Sequence, residues 1–174
     1  MSGRGGYFIP VQDRMATVLF WGKSESFLRS SVQILRTEFG FNPIAKHIGD
    51  PPLYVSEVGV PIAPSSDLIA FASEYRRGIN NLIVLLAPVA ITTPFGHPIV
   101  GESKDDIIIL STSQLSQPSL PRLLRHEVGH YFGLAEHLDC VMSPYHVDDP
   151  RFCSHCIHHL ETLGVKWNPA LSTG

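Results

Sequence analysis

Hydrophobic and polar residues along the chain form blocks that predict strands and helices in turn. Short apolar runs at Thr17–Trp21, Leu82–Ala87 and Ile107–Leu110 predict buried strands. The second run is apolar at every position, which predicts a central strand covered on both faces. Between the first two runs, apolar residues at helical spacing predict a helix that is capped by Ser24 and stopped by Gly40.

Weaker patterns supply further elements. Phe41–Ile48 predicts a second strand, which Pro43 restricts to a sheet edge or a strand start. A second helix is predicted at Asp67–Arg77, and a short edge strand at Pro98–Gly101. Leu53–Pro64 is poorly patterned and contains prolines, so we predict a loop there.

Two more helices are predicted in the last third of the chain. Ser119 and Pro121 have the chemistry of a helix start, and the helix that follows carries a buried stripe. This stripe consists of Leu120, Leu124 and Val128. A short C-terminal helix headed by His158 and His159 is expected to end at Gly164, with those two histidines at the surface.

The alternation of strands and helices indicates an α/β fold with a mostly parallel sheet. The chain has 174 residues, 44% of them hydrophobic, which suits one globular domain with its own core. We therefore expect a single domain at residues 16–174, after a flexible, glycine-rich arm at residues 1–15.

Charge and hydropathy restrict the partners. The net charge is −3 and no dense lysine or arginine run occurs, so nucleic acid and anionic membranes are not expected as partners. No apolar run approaches the ~20 residues needed to cross a bilayer. The N-terminus lacks the apolar core of a signal peptide. These features predict a cytoplasmic protein, which we expect to be monomeric.

Candidate chemistry is concentrated after the predicted start of the third helix. His126 and His130 are four residues apart, so on a helix both imidazoles leave the same face and can reach one metal ion. Glu127 lies beside them, near enough to act on a metal-bound water without binding the metal. This is the H-E-x-x-H pattern of zinc peptidases. Zinc would lower the pKa of its water toward ~7, and Glu127 would act as the general base.

A catalytic zinc needs a third protein ligand besides an open position for water. Gly133 ends the helix, because glycine adopts positive φ at little cost, and the chain can then turn back toward the metal. The extended signature H-E-x-x-H-x-x-G-x-x-H would place the ligand where this chain has Glu136, with His137 one residue later. Glu136 could ligate through its carboxylate, His137 could ligate through a longer turn, or Glu136 could be a solvated turn residue.

The chain's three cysteines lie close together after this turn, at Cys140, Cys153 and Cys156. In a reducing compartment such clustering favours metal binding over disulfides, and Cys-x-x-Cys is a half-site for tetrahedral zinc. Buried free thiols are the alternative. A redox role is disfavoured, since redox Cys-x-x-Cys motifs belong near a βαβ unit, whereas this one follows a loop near the C-terminus.

The H-E-x-x-H-x-x-G helix, followed by Cys140, Met142 and the later Cys-x-x-Cys, resembles the archaemetzincin family of zinc metallopeptidases. The similarity is specific from about Ile107 to Cys156. It implies a compact metzincin-like fold with a twisted mixed sheet, a catalytic zinc and a second, structural zinc. It also implies a Met-turn in which Met142 packs under the histidines, and an antiparallel edge strand near Pro98–Gly101 that lines the cleft and can pair with an extended peptide.

The resemblance also implies ligands for the structural zinc. The family has four cysteines, and the matching positions here are His137, Cys140, Cys153 and Cys156. The family usually has histidine where Glu136 stands and cysteine where His137 stands. If His137 joins the cysteines, Glu136 or water completes the catalytic site. If His137 completes the catalytic site, the fourth structural ligand must be one of His146, His155 and His158.

Two functions follow from these residues. The first is a zinc-dependent metallopeptidase that hydrolyses peptides or protein segments, with two zinc ions and Glu127 as base. The second is a zinc-stabilised module that binds a peptide or a metal with weak or no hydrolysis. The retained Glu127 favours the enzyme, because a site without catalysis needs no base there. The altered position 136 favours the binding module.

Overall fold

The computed structural model describes residues 14–22, 24–49, 54–55, 59, 61–76, 78, 81–138, 140–144 and 151–168. Its strands are β1 (Met15–Phe20), β2 (Asn42–His47), β3 (Tyr54–Val55), β4 (Pro61–Pro64), β5 (Asn81–Ala87), β6 (Ala90–Thr92), β7 (Pro98–Ile99), β8 (Gly101–Lys104) and β9 (Ile107–Ser111). Its α-helices are α1 (Glu25–Phe39), α2 (Ser65–Ser73), α3 (Leu120–Tyr131) and α4 (Ser154–Thr162), and a short 3-10 turn at Gln117–Ser119 leads into α3.

Five strands form the main sheet, in the order β2-β1-β5-β9-β8. The pairs β2–β1, β1–β5 and β5–β9 are parallel, whereas β8 runs antiparallel to β9. This confirms the predicted α/β fold with a mostly parallel sheet and an antiparallel edge strand. β2 lies at the opposite edge, as the proline in its sequence predicts.

β5 is buried at every position and separates two hydrophobic cores. Alternate residues of a strand point to opposite faces. Accordingly, Val84 and Leu86 pack into the core on the side of α1 and α3, whereas Ile83 and Leu85 pack into the core on the side of α2. Both faces of the sheet are therefore covered at β5, which is why its residues 82–87 are all apolar.

A second, four-stranded sheet has the order β3-β4-β6-β7. The prediction of a loop at Leu53–Pro64 was wrong at Tyr54–Val55 and Pro61–Pro64, which are strands of this sheet. These strands have two and four residues, too few for an alternating pattern to be recognised. The two prolines of β4 are its first and last residues, where the missing N–H groups interfere least with pairing.

Several predicted boundaries also differ. β1 begins at Met15, two residues before the predicted strand. α2 spans Ser65–Ser73 rather than Asp67–Arg77, because after Ser73 the backbone N–H groups of residues 75 and 76 bond three residues back, as in a tight turn. α4 begins at Ser154, four residues before the predicted C-terminal helix.

The edge strand of the main sheet begins only at Gly101 and runs to Lys104, whereas Pro98–Ile99 belongs to the second sheet. The chain therefore passes from the edge of one sheet to the edge of the other within a few residues. Within the described residues, no helix is both long enough and apolar enough to cross a membrane.

Candidate metal sites and cleft

α3 ends in a turn built on Gly133, whose φ is +81°. The N–H of Leu134 donates to the carbonyl of Gly129 (3.0 Å), and the N–H of Gly133 donates to the carbonyl of His130 (2.9 Å). This pair of bonds is a Schellman motif, which requires a left-handed residue after the helix. The helix stop predicted at Gly133 is confirmed, and the turn brings the following residues back beside the end of α3.

The imidazoles of His126 and His130 converge. Their Nε2 atoms are 3.0 Å apart. The Nδ1 atom of His126 lies 2.9 Å from the carbonyl oxygen of Val141, and that of His130 lies 3.0 Å from the carbonyl oxygen of Leu134. A carbonyl only accepts hydrogen bonds, so both Nδ1 atoms carry the proton and both Nε2 lone pairs are directed to one point. Two nitrogens on a tetrahedral zinc would be roughly 3.3 Å apart, close to this spacing.

Glu136 lies on the same side as these histidines. Its Oε1 atom is 3.9 Å from Nε2 of His130, and its side chain is 52% exposed. One ligand atom from each of His126, His130 and Glu136 lies within 4.8 Å of the others. Burial lowers the pKa of His126, outweighing the hydrogen bond to Val141, so its imidazole stays neutral, the form that binds metal.

His137 belongs to a different group. Its Nε2 atom is 3.1 Å from Sγ of Cys140, 3.2 Å from Sγ of Cys153 and 3.5 Å from Sγ of Cys156. The Sγ atoms of Cys140 and Cys156 are 4.0 Å apart, and all three cysteines are free thiols. Thiolates on a tetrahedral zinc would be roughly 3.8 Å apart, so these four side chains could hold such an ion.

The thiols of this group differ in acidity. The pKa of Cys153 lies near 7: burial would raise it, but hydrogen bonds from the Cys156 backbone and the His137 side chain stabilise the thiolate. The pKa of Cys156 is raised, first by burial and then by the neighbouring Cys140. Crowded thiolates repel one another unless a cation lies between them. A bound metal ion would be such a cation.

Glu127 lies in a cleft of about 890 Å³ between α3 and β8. It is only 5% exposed. Burial raises its pKa to about 7, with smaller contributions from Glu102 and Glu136, against an opposing hydrogen bond from Ser103. The cleft is lined by both histidines of the first group, by Glu127 and Glu136, and by residues 98–108. A carboxylate with a pKa near 7 can accept and return a proton at neutral pH.

Met142 packs directly beneath α3. It is fully buried, and a Cβ atom placed on Gly129 would lie 2.3 Å from its Sδ atom. Gly129 is one of the two positions between Glu127 and His130 in the motif. The absence of a side chain there lets the thioether approach the helix backbone where the two histidines project.

Among the described residues of this region, the other histidines lie outside both groups. His155 and His158 are exposed, and His146 lies outside the described residues. His159, predicted at the surface, is only partly exposed, and its Nε2 atom lies 3.1 Å from the carbonyl oxygen of Phe132. Since α3 and α4 meet there, tertiary packing covers a residue that the sequence pattern placed in solvent.

Four residues contribute to the site in ways that were not predicted from the sequence. The carbonyls of Leu134 and Val141, which orient the histidines, leave no signal because every residue has a carbonyl. The side chain of Ser103 bonds to Glu127, but serine is common at protein surfaces, so its presence in the sequence gave no signal. Gly101 did offer a signal, since glycine in a strand often marks close backbone approach: a Cβ there would meet side-chain atoms of Leu110 at 2.9 Å and of Leu123 at 3.2 Å.

Comparison with known proteins gives a structural likeness only. No protein-family model matches the chain, and no curated protein matches it either. Similar solved structures include archaemetzincin from Archaeoglobus fulgidus in complex with malonate, with 14% identity, a TM-score of 0.68, and coverage of 83% of this chain and 99% of that one.

Archaemetzincin from Methanopyrus kandleri has 20% identity and a TM-score of 0.64, over 94% of this chain and 98% of that one. A zinc-dependent peptidase from Methanocorpusculum labreanum has 19% identity and a TM-score of 0.60, over 83% of this chain and 99% of that one. At these identities the likeness concerns the course of the backbone, and it extends over nearly the whole of each neighbour. The chain therefore has the fold of the archaemetzincin structures.

Proposed function

We propose that this protein is a zinc-dependent metallopeptidase. The observation that carries the proposal is the convergence of the Nε2 atoms of His126 and His130, 3.0 Å apart, beside the buried carboxyl group of Glu127 in an open cleft. Support comes from the fold, since its structural neighbours are described as archaemetzincins and as a zinc-dependent peptidase.

We assign the catalytic ion to the first group, and a structural ion to the second. Glu136 is the third catalytic ligand in this proposal, because its carboxylate lies with the two histidines, whereas the His137 imidazole is surrounded by the cysteines. Two neutral imidazoles, one carboxylate and an open position form a recognised catalytic donor set, and three thiolates with one imidazole form a structural one. Met142 is the Met-turn residue beneath the histidines.

His126, His130 and Glu136 would hold a zinc ion, which would supply a Lewis acid for the substrate carbonyl and lower the pKa of a bound water. Glu127 would accept a proton from the attacking water and deliver it to the leaving amine nitrogen. Its burial makes it a stronger base than an exposed carboxylate, and it lines the same cleft as His126 and His130. The carbonyls of Val141 and Leu134 hold the histidine protons on Nδ1 throughout.

The substrate we propose is an extended segment of a peptide or protein. β8 is the last strand of the main sheet and pairs only with β9 among the described residues, so its other edge can bond to a peptide backbone. The same residues, Gly101–Lys104, line the cleft beside Glu127. A monomeric state and a cytoplasmic location stay predictions from the sequence.

The decisive experiment compares Glu127→Gln with Glu25→Gln, a matched change at an exposed carboxylate on α1. Zinc-loaded proteins are incubated with a mixed peptide library, and cleavage is read by mass spectrometry. We expect the wild type and Glu25→Gln to cleave equally, and Glu127→Gln to lose at least about 10²-fold in rate with its zinc content unchanged.

Each alternative gives a different result in this experiment. Equal cleavage by Glu127→Gln would exclude Glu127 as the base. Zinc binding and peptide binding by a wild type that never cleaves would support the binding module instead. Fewer than two zinc ions per chain would overturn the assignment of two metal sites.

A further inference from the structure

The turn after α3 contacts both groups of metal-competent side chains. We define the bridging segment as residues 134–138 and 140–142. At the start of the segment, the carbonyl oxygen of Leu134 accepts a hydrogen bond from the imidazole of His130. Near its other end, the carbonyl oxygen of Val141 accepts one from the imidazole of His126. The direction of both Nε2 lone pairs in the first group is therefore set by the backbone of this one segment.

The same segment supplies two members of the second group, His137 and Cys140. Glu136 and His137 are consecutive residues, yet their side chains join different groups. Cys140 also holds the backbone locally, because the N–H of Met142 donates to its Sγ atom at 3.3 Å. Val141 lies between Cys140 and Met142. The position of the Val141 carbonyl therefore depends on where the Cys140 sulfur is held.

Little apolar packing fixes residues 135–138, the described middle of this segment. Ala135, Glu136 and Leu138 are exposed and His137 is half-buried, whereas the residues at the two ends are buried. Exposed turns with few buried contacts are the parts of a protein that open most easily. Bonds from a metal ion to His137 and Cys140 would supply the restraint that hydrophobic contacts do not.

We propose that metal binding at the second group positions the first group, so that occupation of the thiolate site increases metal affinity at the histidine site. The inference rests on the ligand sets given under the proposed function. Changes in the groups that orient metal-binding histidines typically alter affinity by about 10- to 100-fold, and we expect a coupling of that size. Linkage requires the effect to be reciprocal.

The test measures metal affinity, not activity. Metal-free, reduced protein receives one equivalent of Cd²⁺, a soft ion that selects the thiolate site and is detected by its thiolate charge-transfer absorption. Co²⁺ is then titrated into the histidine site and followed by its visible absorption. We expect Cys153→Ser to bind Co²⁺ at least about tenfold more weakly than cadmium-loaded wild type, and Ser154→Ala, an exposed neighbour, to match the wild type.

The reciprocal arm covers the case in which Cys153→Ser does not fold. Removing the half-exposed Glu136 carboxylate, in Glu136→Ala, weakens the histidine site directly. The Co²⁺ concentration is chosen to fill the histidine site of the wild type but not that of Glu136→Ala. Under this condition we expect Cd²⁺ to bind the thiolate site more weakly in Glu136→Ala than in the wild type. Equal affinities in this arm would overturn the proposal. A protein that shows the coupling but cleaves no peptide would refute the proposed activity alone.

Discussion

Arg125 and Glu38 form a bidentate ion pair in the protein interior. The Nε and Nη2 atoms of Arg125 lie 2.7 Å from the two carboxylate oxygens of Glu38, and both residues are buried. Trp167, beyond α4, also donates to Glu38 through its indole N–H, at 3.2 Å. The residue immediately before His126 is thus joined to α1 and to the C-terminal part of the chain.

We predict that removing one partner of this pair is strongly destabilising. Glu38→Leu or Arg125→Met would remove the bidentate ionic partner of the remaining buried charge, which costs about 3–5 kcal/mol in the free energy of unfolding. The double variant should recover most of that loss, because an apolar pair of similar volume has no charge to desolvate. Urea unfolding of the four proteins measures the coupling. Additive losses in the double variant would show that the two side chains act independently.

A second prediction concerns Gly129. In Gly129→Ala the new Cβ would lie 2.3 Å from Sδ of Met142, so the helix or the methionine must move. We expect a loss of about 1–3 kcal/mol in stability, together with weaker metal binding at the adjacent histidines. Gly49→Ala is the matched control, since nothing lies within 4 Å of a Cβ there.

Adding Met142→Ala to Gly129→Ala should relieve the clash. The double variant then loses less stability than the sum of the two single changes, as thermal unfolding can measure. Strict additivity would mean that the methionine does not limit the space at position 129.

A third prediction follows from the buried Glu127. Its pKa of about 7 in the folded protein exceeds the ordinary value of 4.5, so the folded state holds the proton more tightly than the unfolded state. The associated stability is complete below pH 4.5 and is lost as the pH rises through about 7.

Glu127→Gln cannot titrate and should not show this loss. In metal-free protein we expect the variant to gain about 2–3 kcal/mol relative to wild type between pH 4.5 and pH 8, measured by urea unfolding at each pH. Saturation with zinc should reduce the difference, because a cation stabilises the ionised carboxylate. A stability difference that is independent of pH would contradict the raised pKa of this group.

Strong periodic patterns predicted the fold well. The apolar run around Leu85 is the central strand, and Gly40 and Gly133 end helices in left-handed conformations as predicted. The short strands around Tyr54 and Ile62 were not predictable, since β3 forms by pairing with β4, and β4 by pairing with β6 from a later part of the chain. Ser24 and Ser119 occupy their predicted cap positions without making side-chain cap bonds, and the hydroxyl of Ser24 donates to Trp21 instead.

The sequence by itself determined the candidate metal ligands: two histidines one helical turn apart and three clustered cysteines. It also determined the neighbouring glutamate and the glycine that ends the helix. These follow from local geometry, because helical spacing and left-handed φ depend on nearby residues only. The tertiary structure decided that Glu136 lies with the histidines and His137 with the cysteines, a choice that the sequence left open. That division depends on the packing of residues 140–142 and α4 against α3, and contacts between distant segments cannot be read from spacing along the chain.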